Sequence, residues 1–327
     1  MPGEKRALIR SSFCLLSMLL ANAALSPFAV ASDDVRIDRE SVTIWSQGVR
    51  LAGDLYKPSK IAEDQKLPGI LLVPGWGGSK ANVGKNYATH FAEAGFIVLA
   101  FDFKSWGESD GPLMASEKMA PSEEAVEGEV KAVHVRKVVN PFSMSADVRA
   151  ALHYLGGESD VVPDSLGIFG TSMGGALALV IATGDNRIKA YVDQMGPVNY
   201  THNLKQLPSE LMRLAETRAA RGDIPPYPGP EGNSDPRLKG YPDWVALKHF
   251  NPLANLDRLT APTLIIEAEG ETLYDPAYNG RQLYNTIKDR LPSRYITFPG
   301  GHYDMYKGRN LDAAREEAMN WFIKYLK

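Results

Sequence analysis

The run Leu166-Gly167-Ile168-Phe169-Gly170-Thr171-Ser172-Met173-Gly174-Gly175-Ala176-Leu177-Ala178-Leu179 constrains this chain more than any other stretch. An apolar segment of strand character leads into a Gly-x-Ser-x-Gly turn, and a helix of small residues follows at once. Such a turn holds its serine in a strained backbone between strand and helix, so the hydroxyl projects above the sheet edge. Gly170 and Gly174 stand on either side because a Cβ at either place would collide with the crossing backbone. The helix that begins directly after Ser172 aims its amide dipoles at any negative charge developing there.

The rest of the chain supplies the sheet that this turn needs. Gly69–Val73 and Phe96–Phe101 are continuous apolar runs, the pattern of parallel strands buried on both faces. Ser41–Trp45 and Val49–Tyr56 read as an antiparallel pair joined at Ser46-Gln47-Gly48. Helical periodicity is expected over 82–94, closed by Gly95, and again over 144–155. Between Asp110 and Pro141 the pattern loosens into a charged, irregular insertion. Beyond the strand Ala190–Asp193, residues 196–260 lose the alternation, carry much Pro, Gly and Asn, and hold one helical piece at 210–220. A strand at 262–267, a helix at 277–291, a strand at 294–298 and a helix at 311–325 complete the pattern. Alternating strands and helices predict an α/β fold with a doubly wound, mostly parallel sheet, and sites at the carboxyl ends of its strands.

On these motifs the chain resembles the α/β-hydrolase superfamily of serine hydrolases, in its dienelactone-hydrolase-like and secreted esterase branches, over about residues 35–327. The resemblance implies an inserted lid or cap, here 196–260, and a catalytic order of serine, then acid, then histidine. Ser172 is then the nucleophile. Of six histidines, only His302 lies in a glycine-rich loop between the last strand and the last helix, Pro299-Gly300-Gly301-His302-Tyr303, where an imidazole can reach back over the serine. His90, His134, His153, His202 and His249 have spacings that point to no shared metal site. The acid falls in the turn Glu267-Ala268-Glu269-Gly270-Glu271-Thr272-Leu273-Tyr274-Asp275, where the family usually has Asp. Glu271 occupies that position, Asp275 competes with it, and Asp193, Glu267 and Glu269 stay open. The resemblance places the oxyanion donors at the backbone N–H groups of Met173 and Trp76, the latter in a loop that opens with Pro74-Gly75 rather than His-Gly. It implies a small ester substrate and no cofactor or metal. Tyr200, Tyr227, Tyr241, Trp244 and Phe250 are read either as an aromatic cover over a modest pocket or as packing for a loop-rich segment.

The N-terminus reads as an export signal. Lys5, Arg6 and Arg10 precede an apolar stretch from Ser12 to Leu25, and Ala29-Val30-Ala31 forms a small-x-small cleavage site. The apolar stretch falls short of the ~20 residues that span a bilayer and is interrupted by Asn22 and Pro27, so secreted or periplasmic protein cleaved after Ala31 is expected. Cleavage removes those three cations, Glu4 and the single cysteine, Cys14, so the net charge moves from −3 to −5 and no thiol is left. Such a balance gives no nucleic-acid footprint and no patch for an anionic membrane. A peptidase, an acyltransferase or a non-catalytic binding protein on the same scaffold are the competing readings. The last of these typically loses the serine or the histidine, and this chain has both.

Overall fold

The computed structural model describes residues 36–119, 124, 127–206, 208–221 and 239–327. The expected signal peptide and Tyr227 lie outside them. Strands β1 (Ile37–Ser46) and β2 (Val49–Pro58) form the antiparallel pair, turning through Gln47 and Gly48 at φ 51° and 77°. Strand β3 (Leu67–Val73) is buried on both faces, and its Ile70, Leu71 and Leu72 side chains each contribute about 1.5–3 kcal/mol by leaving water. The helix expected over 82–94 is a composite. Helix α1 (Lys80–Val83), capped by Ser79, passes through a π-helical segment, Gly84–Ala88, into α2 (Thr89–Glu93), and Gly95 at φ 82° ends it. Strand β4 (Ile97–Phe101) follows.

The irregular insertion contains three short strands, β5 (Leu113–Ala115), β6 (Ala132–His134) and β7 (Val138–Val139). Helix α3 (Pro141–Gly157) starts three residues before the apolar periodicity does. Asn140 caps it by accepting from Phe142 N and Ser143 N, and Pro141 suits the first turn. Strand β8 (Val161–Thr171) enters the turn at Ser172, and α4 (Met173–Ala182) leaves it. Strand β9 (Ile188–Gln194) is followed by α5 (Tyr200–Asn203), α6 (Ser209–Ala220), strand β10 (Tyr241–Pro242) and α7 (Trp244–His249). Strand β10 pairs with β7, so the two insertions join.

Strand β11 (Thr263–Ala268) precedes the acid-bearing turn. The helix expected over 277–291 is shorter, because Asn279 breaks it at φ −118°, ψ −105° and α8 (Gly280–Ile287) begins only afterwards. The break is held by side-chain bonding. Asn279 accepts from Asn199 N and Asn203 Nδ2 and donates to Asp275 O, interactions that no helical periodicity encodes. Strand β12 (Ser293–Phe298) and helix α9 (Gly308–Leu326) complete the chain.

The eight-stranded sheet runs β1-β2-β4-β3-β8-β9-β11-β12, parallel from β4 through β12 and antiparallel at its β1–β2–β4 edge. One face packs on α3, α4 and the segment after β9; the other packs on α2 and α9, through Phe91 and Phe322 among others. The carboxyl ends of β3, β8, β11 and β12 deliver Pro74–Ser79, Ser172, Glu271 and His302 to one end of the sheet.

Candidate active site

Ser172 has φ 52° and ψ −130°, a left-handed conformation for a residue with a Cβ, which costs about 1–3 kcal/mol. Its backbone is fixed on both sides: Ser172 N donates to Gln194 O at 2.8 Å, and Gly175 N donates to Ser172 O at 2.8 Å. The turn tolerates no side chain where the sequence has glycine. A Cβ on Gly174 would lie 2.2 Å from Val73 O, and one on Gly170 2.2 Å from Gly174 O. The loop after β3 approaches as closely, since a Cβ on Gly75 would meet Thr171 O at 2.9 Å and Ser172 Cβ at 3.0 Å. Trp76 follows that glycine, and Met173 opens α4, where helix geometry leaves its N–H without an acceptor inside the helix.

Glu271 and His302 meet. His302 Nδ1 lies 2.6 Å from Glu271 Oε2, with both side chains buried, at 4% and 0% exposure. The other carboxylate oxygen accepts from Thr272 N and Leu273 N, both at 2.8 Å, so the glutamate is held by its own turn. Backbone bonds join the two loops: Glu269 N donates to Phe298 O and Gly270 N to Gly300 O. Gly301 N donates to Asp304 Oδ2 at the start of the 3-10 turn His302–Tyr306.

The alternative acids are engaged elsewhere. Asp275 caps the turn ahead of α8, accepting from Ala277 N at 2.9 Å. Glu269 accepts from Thr297 Oγ1. Glu267 accepts from the Tyr274 hydroxyl at 3.0 Å, and burial, with the neighbouring Asp193 charge, pushes its carboxyl well above the usual range. Asp193 is fully buried against Gly175 and Gly196 without a well-formed hydrogen bond to either oxygen, and burial raises it to about 7.

Ser172 and His302 line a cleft of about 460 Å³ whose walls come from Trp76, Asn82, Tyr87, Tyr303 and Tyr306, among others. Among the described residues, the aromatic side chains of 196–260 do not line it. Tyr200 and Phe250 are buried in the core, their rings 5.4 Å apart, so packing is their role. The sequence reading missed Tyr303, Tyr306 and Tyr87 as the aromatic walls; the Tyr303 and Tyr306 positions, directly after His302, were the available signal. The Trp76 indole is half-buried against the core, and its Nε1 donates to Lys239 O at 2.7 Å. Among the described residues, no group of three or more His, Cys, Asp or Glu is placed to hold a metal ion.

A strained serine between strand and helix at the end of such a sheet defines an α/β-hydrolase fold. The chain belongs to the dienelactone hydrolase family, whose model matches residues 52–215, a stretch that includes Ser172 and stops short of Glu271 and His302. A solved structure of a hypothetical protein from Pseudomonas aeruginosa superposes with a TM-score of 0.68 at 20% identity, covering 95% of this chain and all of that one. The α/β hydrolase GrgF from Penicillium gives 0.65 at 18% identity, over 88% of this chain and 99% of its own. By sequence, the quorum-quenching protein AidA of Acinetobacter baumannii is 22% identical, over 85% of this chain and 92% of its own. Family membership makes this protein a hydrolase with a small-molecule substrate.

Proposed function

We propose that the chain is a carboxylic-ester hydrolase that works through an acyl-enzyme on Ser172, with His302 as general base and acid and Glu271 as its orienting carboxylate. The observation that carries this reading is the buried 2.6 Å contact between His302 Nδ1 and Glu271, which leaves Nε2 for the cleft that Ser172 lines. Ser172 Oγ attacks the ester carbonyl carbon while His302 Nε2 takes its proton. The carbonyl oxygen becomes an oxyanion held by the N–H groups of Met173 and Trp76, each worth about 2.7–4 kcal/mol. Collapse breaks the bond to the alcohol, which leaves with the proton from His302. Water then attacks the acyl carbon, giving its proton to His302, and Ser172 recovers a proton as the acid departs. A cleft of about 460 Å³ suits a modest ester. In this reading residues 196–260 form a cap, and residues 1–31 direct export.

Fluorophosphonate labelling of protein lacking residues 1–31, with peptide mass mapping, is the test. Label on Ser172 that disappears in Ser172→Ala and His302→Ala is expected, with ester turnover reduced by at least ~10³-fold in each variant. Labelling at another residue, or turnover that survives Ser172→Ala, would sink the proposal. A panel of esters, thioesters and amides compared by kcat/KM separates ester hydrolysis from the neighbouring acyl-transfer chemistries. N-terminal sequencing of protein recovered outside the cytoplasm is expected to begin at Ser32.

A further inference from the structure

Beneath the nucleophile runs a buried line of polar side chains that the proposed mechanism does not use. Gln194, at the end of β9, is fully buried, and its Nε2 donates to the Tyr87 hydroxyl at 2.9 Å and, over 3.4 Å, to Thr171 Oγ1. Thr171, the residue before Ser172, is 2.9 Å from the Tyr306 hydroxyl. Tyr306 lines the cleft with Ser172 and His302, its ring centroid 6.0 Å from the imidazole.

One end of this line is set by chemistry: an amide nitrogen can only donate, so Thr171 Oγ1 accepts from Gln194. Either hydroxyl can donate across the 2.9 Å contact between Thr171 and Tyr306, and in the arrangement that matters here the Thr171 proton goes to Tyr306 Oη. In that arrangement the Tyr306 oxygen accepts from Thr171 and its own proton is left for the cleft, toward Ser172. Bonds in such a chain polarise one another, which makes the last hydroxyl a better donor than an isolated phenol. Gln194 is itself anchored to the turn, because its backbone carbonyl accepts Ser172 N–H.

We infer that Tyr306 is a third hydrogen-bond donor at the reacting centre, a catalytic residue that offers its hydroxyl to the negative charge growing between Ser172 Oγ and the substrate, and that Thr171 and Gln194 position and polarise it. Burial, the largest influence on this phenol, pushes it well above its ordinary range and keeps its proton in place at neutral pH, while its bonds to Thr171 and Ser172 act in the opposite sense. The inference rests on the ester-hydrolase reading of Ser172. It adds to the two backbone donors a side-chain donor held by Thr171, the residue before the nucleophile.

The test uses wild-type protein, Tyr306→Phe, Thr171→Val, Thr171→Ser and the Tyr306→Phe/Thr171→Val double variant, with a p-nitrophenyl ester as probe and thermal melting as the folding control. Tyr306→Phe is expected to lower kcat 10- to 100-fold with KM changed less than about threefold, and to slow fluorophosphonate labelling of Ser172 in parallel. Thr171→Val is expected to lower kcat by about three- to tenfold, Thr171→Ser to restore it, and the double variant to be no worse than Tyr306→Phe alone. A folded Tyr306→Phe within twofold of wild type overturns the inference, as does a double variant in which the two losses multiply. If Tyr306→Phe does not fold, the Val and Ser pair at Thr171 decides, and equal rates in that pair overturn it. Wild-type protein that neither labels at Ser172 nor cleaves the ester defeats the underlying hydrolase reading instead, a result distinct from an active wild type with an equally active Tyr306→Phe.

Discussion

Two carboxyl groups near the ends of adjacent strands meet opposite fates. Glu271, in the turn after β11, has three N–H donors on its two oxygens: Thr272 N, Leu273 N and the His302 imidazole. Asp193, on the neighbouring strand β9, is equally buried and receives no well-formed hydrogen bond, and the adjacent Tyr191 hydroxyl donates to Gly175 O instead. Burial therefore raises Asp193 to about 7, and its neighbour Glu267 is raised as well. Depth alone does not select an acid for an imidazole. The local turn does, by presenting amides to one oxygen and leaving the other free for the histidine. Glu271 is where the turn provides that arrangement.

The comparison breaks first at Glu271. Glu271→Gln, which keeps the shape and replaces a carboxylate oxygen by a donor facing His302 Nδ1, is expected to lower ester kcat by about 10³–10⁴-fold with the melting temperature little changed. The same substitution in kind at Asp193, to Asn, is expected to leave kcat within a few-fold. A large loss at Asp193 with a small one at Glu271 would reverse the assignment.

Stability against pH sharpens the other half. Asp193 titrates near 7 in the folded protein against an ordinary value of 3.8, so between those values the folded state holds the extra proton. Its contribution is therefore complete below about pH 4 and lost as pH rises through 7, by at most about 4 kcal/mol. Asp193→Asn is expected to flatten the fall in melting temperature between pH 5 and pH 8 relative to wild type, measured by calorimetry. A fall as steep in the variant as in wild type would show that the proton resides elsewhere. Smallest is Asp275→Asn, which touches only the cap on Ala277 N and is expected to cost no more than about 1 kcal/mol in denaturant titration, with activity unaffected.

What the sequence announced and what it concealed divide along a physical line. Strands β3, β4 and the inner part of β8 are legible because burial on both faces writes itself as continuous apolar runs, and the Ser172 turn is legible because its glycines answer to backbone clashes. Chain order pointed to His302 and favoured Glu271. It left the acid open among Glu271, Asp275, Asp193, Glu267 and Glu269, because several carboxylates crowd the strand ends and one turn. The early start of α3 at Asn140-Pro141 was hidden inside a charged stretch, since a cap is two residues of local chemistry with no periodicity. The break at Asn279 was hidden because its partners, Asn199 and Asn203, lie some 76 to 80 positions away. Whether the aromatics of 196–260 cover a pocket or pack stayed open for a similar reason. Tyr200 and Phe250 face the core, and only packing decides which way an amphipathic aromatic turns.

Of the five tryptophans, Trp76 and Trp106 stand where the loop after β3 meets the strand-forming piece at Lys239–Pro242. Trp76 Nε1 bonds Lys239 O, while the six-membered ring of Trp106 lies 3.5 Å from the space beside Gly77 and 2.7 Å from that beside Gly240. The seam between residues 239–242 and the loop after β3 thus carries its own fluorophores. Displacing residues 239–242 exposes more of the half-buried Trp76 indole to water and shifts its emission to the red, so the native fluorescence of the protein reads the position of that seam without any added label.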